Sequence, residues 1–256
     1  MRILRSRHTV HPVHNHKLTD MTTQPLFYKK VVPLNKTRHG DLYVEPVTHY
    51  KHTRETNSIY IAAIEFLKAS KEYPIVFGKS ADDSVFPVVL LGLKNNQNLY
   101  LGKKGEWLAD YIPAYVRRYP FILATNAGDG NTFAVCIDES YSGFNKDKKG
   151  QRLFDDKGEE TALMKQSVEF LKEYQNHIQL TALFCSKIKE LELIEPMQAN
   201  IEKSGKKQTL SGFMCVNRSK LQSLAPDKLA ELMKSDQLEL IFAHLNSLAN
   251  LEKLIR

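Results

Sequence analysis

Cysteine is scarce in this 256-residue chain. There are three, Cys136, Cys185 and Cys215, far apart and without a CxxC pair. So sparse and odd a set argues against a disulfide framework and fits a reducing compartment. Long apolar runs are missing too. A spanning helix needs roughly 18 consecutive apolar residues, and the stretch Ile59–Phe66 is short and interrupted by Glu65. The basic N-terminal segment carries no apolar h-region, so it does not read as a secretory signal. The expected location is cytoplasmic. The P-loop, the dinucleotide-binding GxGxxG, HExxH and GxSxG are likewise absent. Gly128-Asp129-Gly130 is a lone turn motif. A phosphate cradle would want a helix behind it, and a strand follows instead.

What is present is the balance of a globular protein, 42% hydrophobic and 25% charged residues, in a chain long enough for a sizeable core. The net charge is +7, of which the first twenty residues supply +3, through Arg2, Arg5, Arg7 and Lys17 against Asp20. The remaining +4 is mild for so long a chain and does not call for nucleic acid. The same segment holds His8, His11, His14 and His16 and little that could enter a core. It reads as a disordered tail over 1–26 rather than a metal site. Met21 begins "MTTQPLFYKK", which resembles a natural start, so the first twenty residues read as a start-site artefact. One domain is expected over 27–256.

Along that domain, "FYKKVVP" and "LYVEP" are short extended pieces. "SIYIAAIEFLKASKEYP" has near-helical apolar spacing, with Ser58 placed as an N-cap and Pro74 closing it. "PIVFG", "FPVVLLGL" and "NLYLG" read as three strands, and turns as short as Lys94–Asn98 favour antiparallel neighbours. "FILAT" and "TFAVCID" are strands around a turn at Asn126–Asn131. "RLFDDKGEET" is a strand entering a turn. Two helices are expected next, Glu159–Tyr174 and Gln179–Leu191. "LIEPMQANIEK" and "QTLSGFMCVN" form a hairpin across Ser204–Lys207. Pro226–Lys234 and Gln237–Arg256 are helical. In the latter, Leu238, Ile241, Leu245, Leu248, Leu251 and Ile255 make a broad face to be buried. Strands that come in runs predict an α+β fold, mainly antiparallel sheet with packed helices and a C-terminal helical segment.

The richest stretch for chemistry is "EWLADYIPAYVRRYPF", Glu106–Phe121, with the single Trp107, three Tyr, two Pro and two adjacent Arg. Leu108, Ile112, Tyr115 and Tyr119 would share one helical face. Arg117 and Arg118 would fall in the last turn, where cations suit the helix dipole. Tyr119, preceding Pro120, should end the helix. The competing functional reading is that one of the two Arg holds a carboxylate or phosphate among aromatics. Arg118 lies nearer the aromatic face and Arg117 points away. Asp138-Glu139 at a strand end reads as a solvated loop rather than a ligand pair. Cys136 and Cys215 read as buried apolar groups. His244 should pack on the last helix and bond a backbone carbonyl, and His39 reads as a loop residue. The candidate ligand-binding set is Trp107, Tyr115, Arg117, Arg118, Tyr119, Asp138 and His244. No catalytic set, metal or cofactor is expected.

"EYPIVF", "PVVLLGL", "NLYL", "YIPAYVRRYPF", "CIDE", "LFDDKGEET" and the closing "AHLNSLANLEKL", in this order and spacing, resemble the SapC-like family of proteobacterial proteins. The resemblance runs from about Phe27 to Leu254, and "YIPAYVRRYPF" with "HLNSLANL" is its most specific part. It implies a link to a bacterial surface-layer locus, and a neighbourhood of flavin-dependent halogenases and outer-membrane receptors that points to small-molecule or peptide metabolism. It brings no catalytic residues with it. A peptide-transporter permease shares the name, but the lack of a spanning helix separates this chain from it. The expected role is a non-catalytic binding or accessory protein, with a protein, peptide or small molecule as partner. The alternative is an enzyme acting on an anionic small molecule or peptide.

Overall fold

The computed structural model describes residues 25–125, 133–203 and 206–255. The chain opens with β1 (Val31–Pro33), α1 (Lys36–His39) and β2 (Tyr43–Val44). Then come β3 (Ser58–Tyr60), α2 (Phe66–Ala69), β4 (Ile75–Lys79) and β5 (Val85–Leu90). A long loop leads to α3 (Ala114–Arg117), β6 (Phe121–Thr125), β7 (Phe133–Asp138), β8 (Phe144–Asn145) and β9 (Gln151–Arg152). The second half holds α4 (Ala162–Glu190), β10 (Ile194–Lys203), β11 (Lys206–Val216), α5 (Arg218–Gln222), α6 (Pro226–Lys234) and α7 (Gln237–Ser247). The fold is α+β with a C-terminal helical segment.

The described residues form three antiparallel sheets. The largest has the order β10-β11-β4-β5-β3, and the smaller two are β1-β7-β6 and β8-β2-β9. The β4–β5 register sets Ile75 opposite Val89 and Phe77 opposite Pro87. Phe66, Tyr73, Ile75, Phe77, Val89 and Leu91 are fully buried in the main core. A second core gathers Val44, Phe121, Ile137, Leu153, Phe154, Met164 and Leu171.

Helix α4 joins the two cores. It gives Met164 and Leu171 to the second, and Tyr174, Phe184, Cys185 and Ile188 to the main one. The expected helix pair is a single helix of 29 residues, about 40 Å long. No Gly or Pro interrupts Gln175–Ile178, and the buried positions form one unbroken stripe from Met164 to Ile188.

Other expectations need correction. Ser58 is no N-cap. It starts β3, which pairs with Val88–Leu90 of β5, and only a 3-10 turn (Ala63–Glu65) and α2 are helical after it. Ile59, Tyr60, Ile61 and Ala62 are all buried in succession, the mark of a strand covered on both faces rather than of an amphipathic helix. "NLYLG" is not a strand, and its Leu101 makes a lone bridge to Trp107. The Asn98 side chain accepts from Tyr100 N at 2.9 Å and donates to Thr53 Oγ1 at 3.0 Å, a local turn that competes with ladder formation. The last helix ends at Ser247 and continues as 3-10 turns to Leu254. Of the expected tail 1–26, residues 1–24 lie outside the described residues, as do the turn around Gly128 and the tip Ser204-Gly205, while Leu26 packs against the main core. Among the described residues, no helix is long and apolar enough to cross a membrane.

Candidate functional site

The segment around Pro113 is a loop locked by carboxylates, not the long helix its spacing suggests. Helix α3 is one turn, because Pro113 at its start is extended (φ −55°, ψ 143°) and Pro120 follows three residues after its end. Leu108 is exposed and does not share a face with Tyr115. The buried Glu65 accepts from Ala62 N at 2.9 Å, Tyr111 Oη at 2.7 Å and Ala114 N at 2.7 Å. Glu72 accepts from Asp110 N at 2.8 Å and Tyr111 N at 2.9 Å. These bonds fix where Arg117 and Arg118 emerge.

The two arginines then diverge. Arg117 is exposed; its Nε donates to Ile112 O at 2.9 Å and its guanidinium lies 5.2 Å from the Phe170 ring centre. It lines a cleft of about 300 Å³ together with Tyr50, Tyr119, Gln151 and Ser167, with Glu45 also on the wall. Arg118 is half-buried. Its guanidinium carbon sits 3.9 Å from the centre of Tyr115, 5.6 Å from Tyr174 and 5.7 Å from Tyr28. Arg118 Nε and Tyr174 Oη are both enclosed, without a hydrogen-bond partner among the described residues. Burial works against the Arg118 charge, but the surrounding Tyr115, Tyr28 and Tyr174 raise its pKa overall. Burial pushes the Tyr174 phenol well up, and the Arg118 charge only partly offsets this.

Tyr119 ties the cleft to this aromatic chamber. It stacks on His52 with ring centres 4.2 Å apart and meets Tyr28 edge-on at 5.3 Å and Tyr141 at 5.4 Å. Phe27 adopts left-handed backbone (φ 81°), and its ring lies edge-on to His52 at 5.6 Å and Tyr115 at 5.5 Å. A bulky residue in that region is strained unless its surroundings hold it. Burial lowers the His52 pKa to about 4, so the ring is neutral, and its Nε2 is enclosed without a partner among the described residues.

Asp138 is not a solvated loop residue; it is fully buried at the end of β7. Its carboxylate accepts from Lys29 N at 2.9 Å, Lys30 N at 3.0 Å, Ser140 N at 3.0 Å and Ser140 Oγ at 2.7 Å. Burial opposes its charge, but these donors hold its pKa below the usual carboxylate value. Neighbouring Glu139 pairs with Lys30 at 2.8 Å and Arg38 at 2.5 Å. His39 ends helix α1 rather than lying in a loop, and it is buried. Its Nδ1 accepts from Asn35 N at 3.0 Å, leaving Nε2 to donate to Glu139 at 3.2 Å.

Of the other expected site residues, Trp107 stands one step from the cleft. Its Nε1 donates to Tyr73 Oη at 2.7 Å and its ring meets Tyr50 edge-on at 5.7 Å. His244 does not line the cleft. It pins the main core, with Nδ1 donating to Ile75 O at 2.8 Å and Nε2 accepting from Val216 N at 3.0 Å, as its place on the apolar face predicts. All three thiols are free and buried. Burial pushes Cys136 up to about 11 and Cys185 up to about 12.

The structure thus sets Arg117 and Tyr119 on the cleft wall, Arg118 on the Tyr115 ring, and Asp138 beside Tyr119. It adds Tyr28, Tyr50, His52 and Tyr174, which spacing did not single out. The available signal was aromatic residues set among polar ones, as in Tyr50-Lys51-His52. Among protein-family models, that of SapC matches residues 34–254. No curated protein and no solved structure matches the chain.

Proposed function

The chain belongs to the SapC family, and from that premise we propose that it is a non-catalytic binding protein for an anionic small molecule or peptide, taken up in the cleft beside Arg117. The observation that carries this reading is the state of Arg117. Its guanidinium is oriented by a neutral acceptor, Ile112 O, and has no carboxylate partner among the described residues. An oriented guanidinium whose charge is uncompensated suits the planar, two-pronged recognition of a carboxylate or phosphate. Tyr50 and Tyr119 offer flat apolar walls, and Gln151 and Ser167 offer neutral polar groups. Glu45, on the same wall, would select against a second negative charge on that side.

Further features support binding over catalysis. The thiols are buried with raised pKa values, which makes them poor nucleophiles. Both His244 nitrogens are engaged. Asp138 is saturated with donors and serves as an ionised anchor. The reading places the protein in the cytoplasm, in keeping with its free thiols, and leaves nucleic acid aside because the charge is mild. The alternative, an enzyme acting on an anionic small molecule or peptide, has one observation in its favour. Neutral His52 stacks on Tyr119 with its Nε2 uncommitted, and such a ring could serve as a general base.

The test is calorimetric titration with a panel of carboxylates and phosphate monoesters. At least one should bind the wild type, bind Arg117→Lys about tenfold more weakly, and fail to bind Arg117→Ala. Equal affinity for wild type and Arg117→Ala would remove the cleft from consideration.

A further inference from the structure

Helix α4 carries small side chains where it passes the start of β5. Ala182, Cys185 and Ser186 share one helical face with Ile178. Phe184 and Ile188 beside them are large and pack into the main core. A cavity of about 690 Å³ lies against the small residues, walled by α4, β5, Tyr60 of β3 and the turn Ser80–Ser84. It has more than twice the volume of the Arg117 cleft and shares no lining residue with it. Protein interiors are close-packed, and a concavity of this size falls in the range of small-molecule sites.

Its buried lining is mostly apolar, with Tyr60, Val85, Phe86 and Cys185, and its exposed lining is mostly polar, with Asp82, Ser84 and Ser186. The charged groups on the wall are already committed. Lys189 Nζ donates to Asp83 O at 2.7 Å and Asp83 Oδ2 at 2.6 Å, and Asp83 also pairs with Lys79. Asp82 accepts from Ser84 N at 3.1 Å, from Ser84 Oγ at 2.8 Å and from Ser80 Oγ. Glu190 pairs with Lys187 at 3.6 Å. Lys187 also meets Glu231 at 2.8 Å, and Lys228 offsets that carboxylate at 3.5 Å. Lys79, Lys187 and Lys189 thus balance Asp82, Asp83 and Glu190. A charged ligand would give up hydration here without gaining a free counter-charge. The Ser186 hydroxyl offers a neutral donor and acceptor instead.

We propose that this cavity is a second binding site, for an uncharged small molecule with an apolar body and a hydroxyl or amide head. The body packs against Val85, Phe86 and Ile178, and the head bonds at the Ser186 rim. Burial pushes the Cys185 thiol up to about 12, so it stays protonated and serves as apolar wall. The site goes beyond the Arg117 cleft, does not depend on it and has the opposite preference, for a neutral ligand over an anion.

The experiment titrates 2-naphthalenemethanol into the full chain and follows it by saturation-transfer NMR. Wild type should bind this neutral probe saturably. The matched cation, 2-naphthylmethylamine, should bind about tenfold more weakly. So should the matched anion, 2-naphthoate, measured on Arg117→Ala so that the anion cleft takes no part. Ala182 is exposed, so Ala182→Trp should keep the urea midpoint of wild type while its indole fills the cavity and abolishes saturation. Intermolecular NOEs from the naphthyl protons to the Val85 and Ile178 methyl groups should place the probe in wild type, and they decide alone should Ala182→Trp not fold. Lack of saturable binding, undiminished binding in Ala182→Trp, or absence of those NOEs overturns the site. Equal or tighter binding of the amine or the carboxylate overturns the choice of an uncharged ligand.

Discussion

Arg117 and Arg118 are adjacent, yet the same conservative substitution should read differently at each. Arg117→Lys removes no buried contact, so stability should stay within about 0.5 kcal/mol of wild type. Arg118→Lys loses a guanidinium stacked 3.9 Å over Tyr115 and should cost about 1–2 kcal/mol in urea unfolding. Equal effects would mean that the stacking contributes nothing. Histidine gives a second residue-level prediction. Burial lowers His244 and His52 from 6.5 to about 4 in the folded protein. As pH falls through 6.5, the unfolded chain takes up protons that the folded chain refuses, so stability drops until pH 4, where both states are protonated. For His244 the whole effect is on the order of 3 kcal/mol. Carboxylates in the unfolded chain titrate near or below the lower edge of that window, so a flat urea-midpoint profile between pH 4.5 and 7 would contradict neutral burial of both rings. At this scale the sequence was partly legible. The role of His244 follows from its place in an apolar helical stripe. The burial of Asp138 does not, because its donors on Lys29 and Lys30 lie more than a hundred residues away.

Elements were legible where their own pattern decides them and illegible where neighbours do. The hairpin β4–β5 and the long pair β10–β11 follow from β-branched runs and short turns. The Glu106–Phe121 stretch misleads because its helical spacing is outweighed by Glu65 and Glu72, which hold the loop from other elements. The unity of α4 can be tested by Asn176→Pro. Within one continuous helix this should cost about 3 kcal/mol or more, whereas at a junction of two helices it would be tolerated. In α7, Ile241 is fully buried and Leu245 only half-buried, although both lie on the expected apolar face. Ile241→Ala should therefore cost about 2–5 kcal/mol, and Leu245→Ala clearly less. The reverse order in equilibrium unfolding would mean that α7 is rotated from the position described.

At the scale of the whole molecule, α4 spans both cores, and the candidate site lies where the N-terminal segment, the α3 loop, β6, β7 and α4 meet. Local spacing could name Arg117, Arg118, Tyr115 and Tyr119, which sit within one short stretch. It could not name Tyr28, His52 or Tyr174, which reach the site only through the assembly of the two smaller sheets on α4. The central claim is that this assembly binds an anion and does not transform it. The most direct measurement is calorimetric binding of a carboxylate or phosphate monoester that scores with wild type, followed by mass spectrometry of the same mixture after prolonged incubation. The expected result is stoichiometric binding that disappears in Arg117→Ala, with the ligand recovered unchanged. Conversion of the ligand by wild type, abolished by His52→Gln, would contradict the claim and establish an enzyme instead.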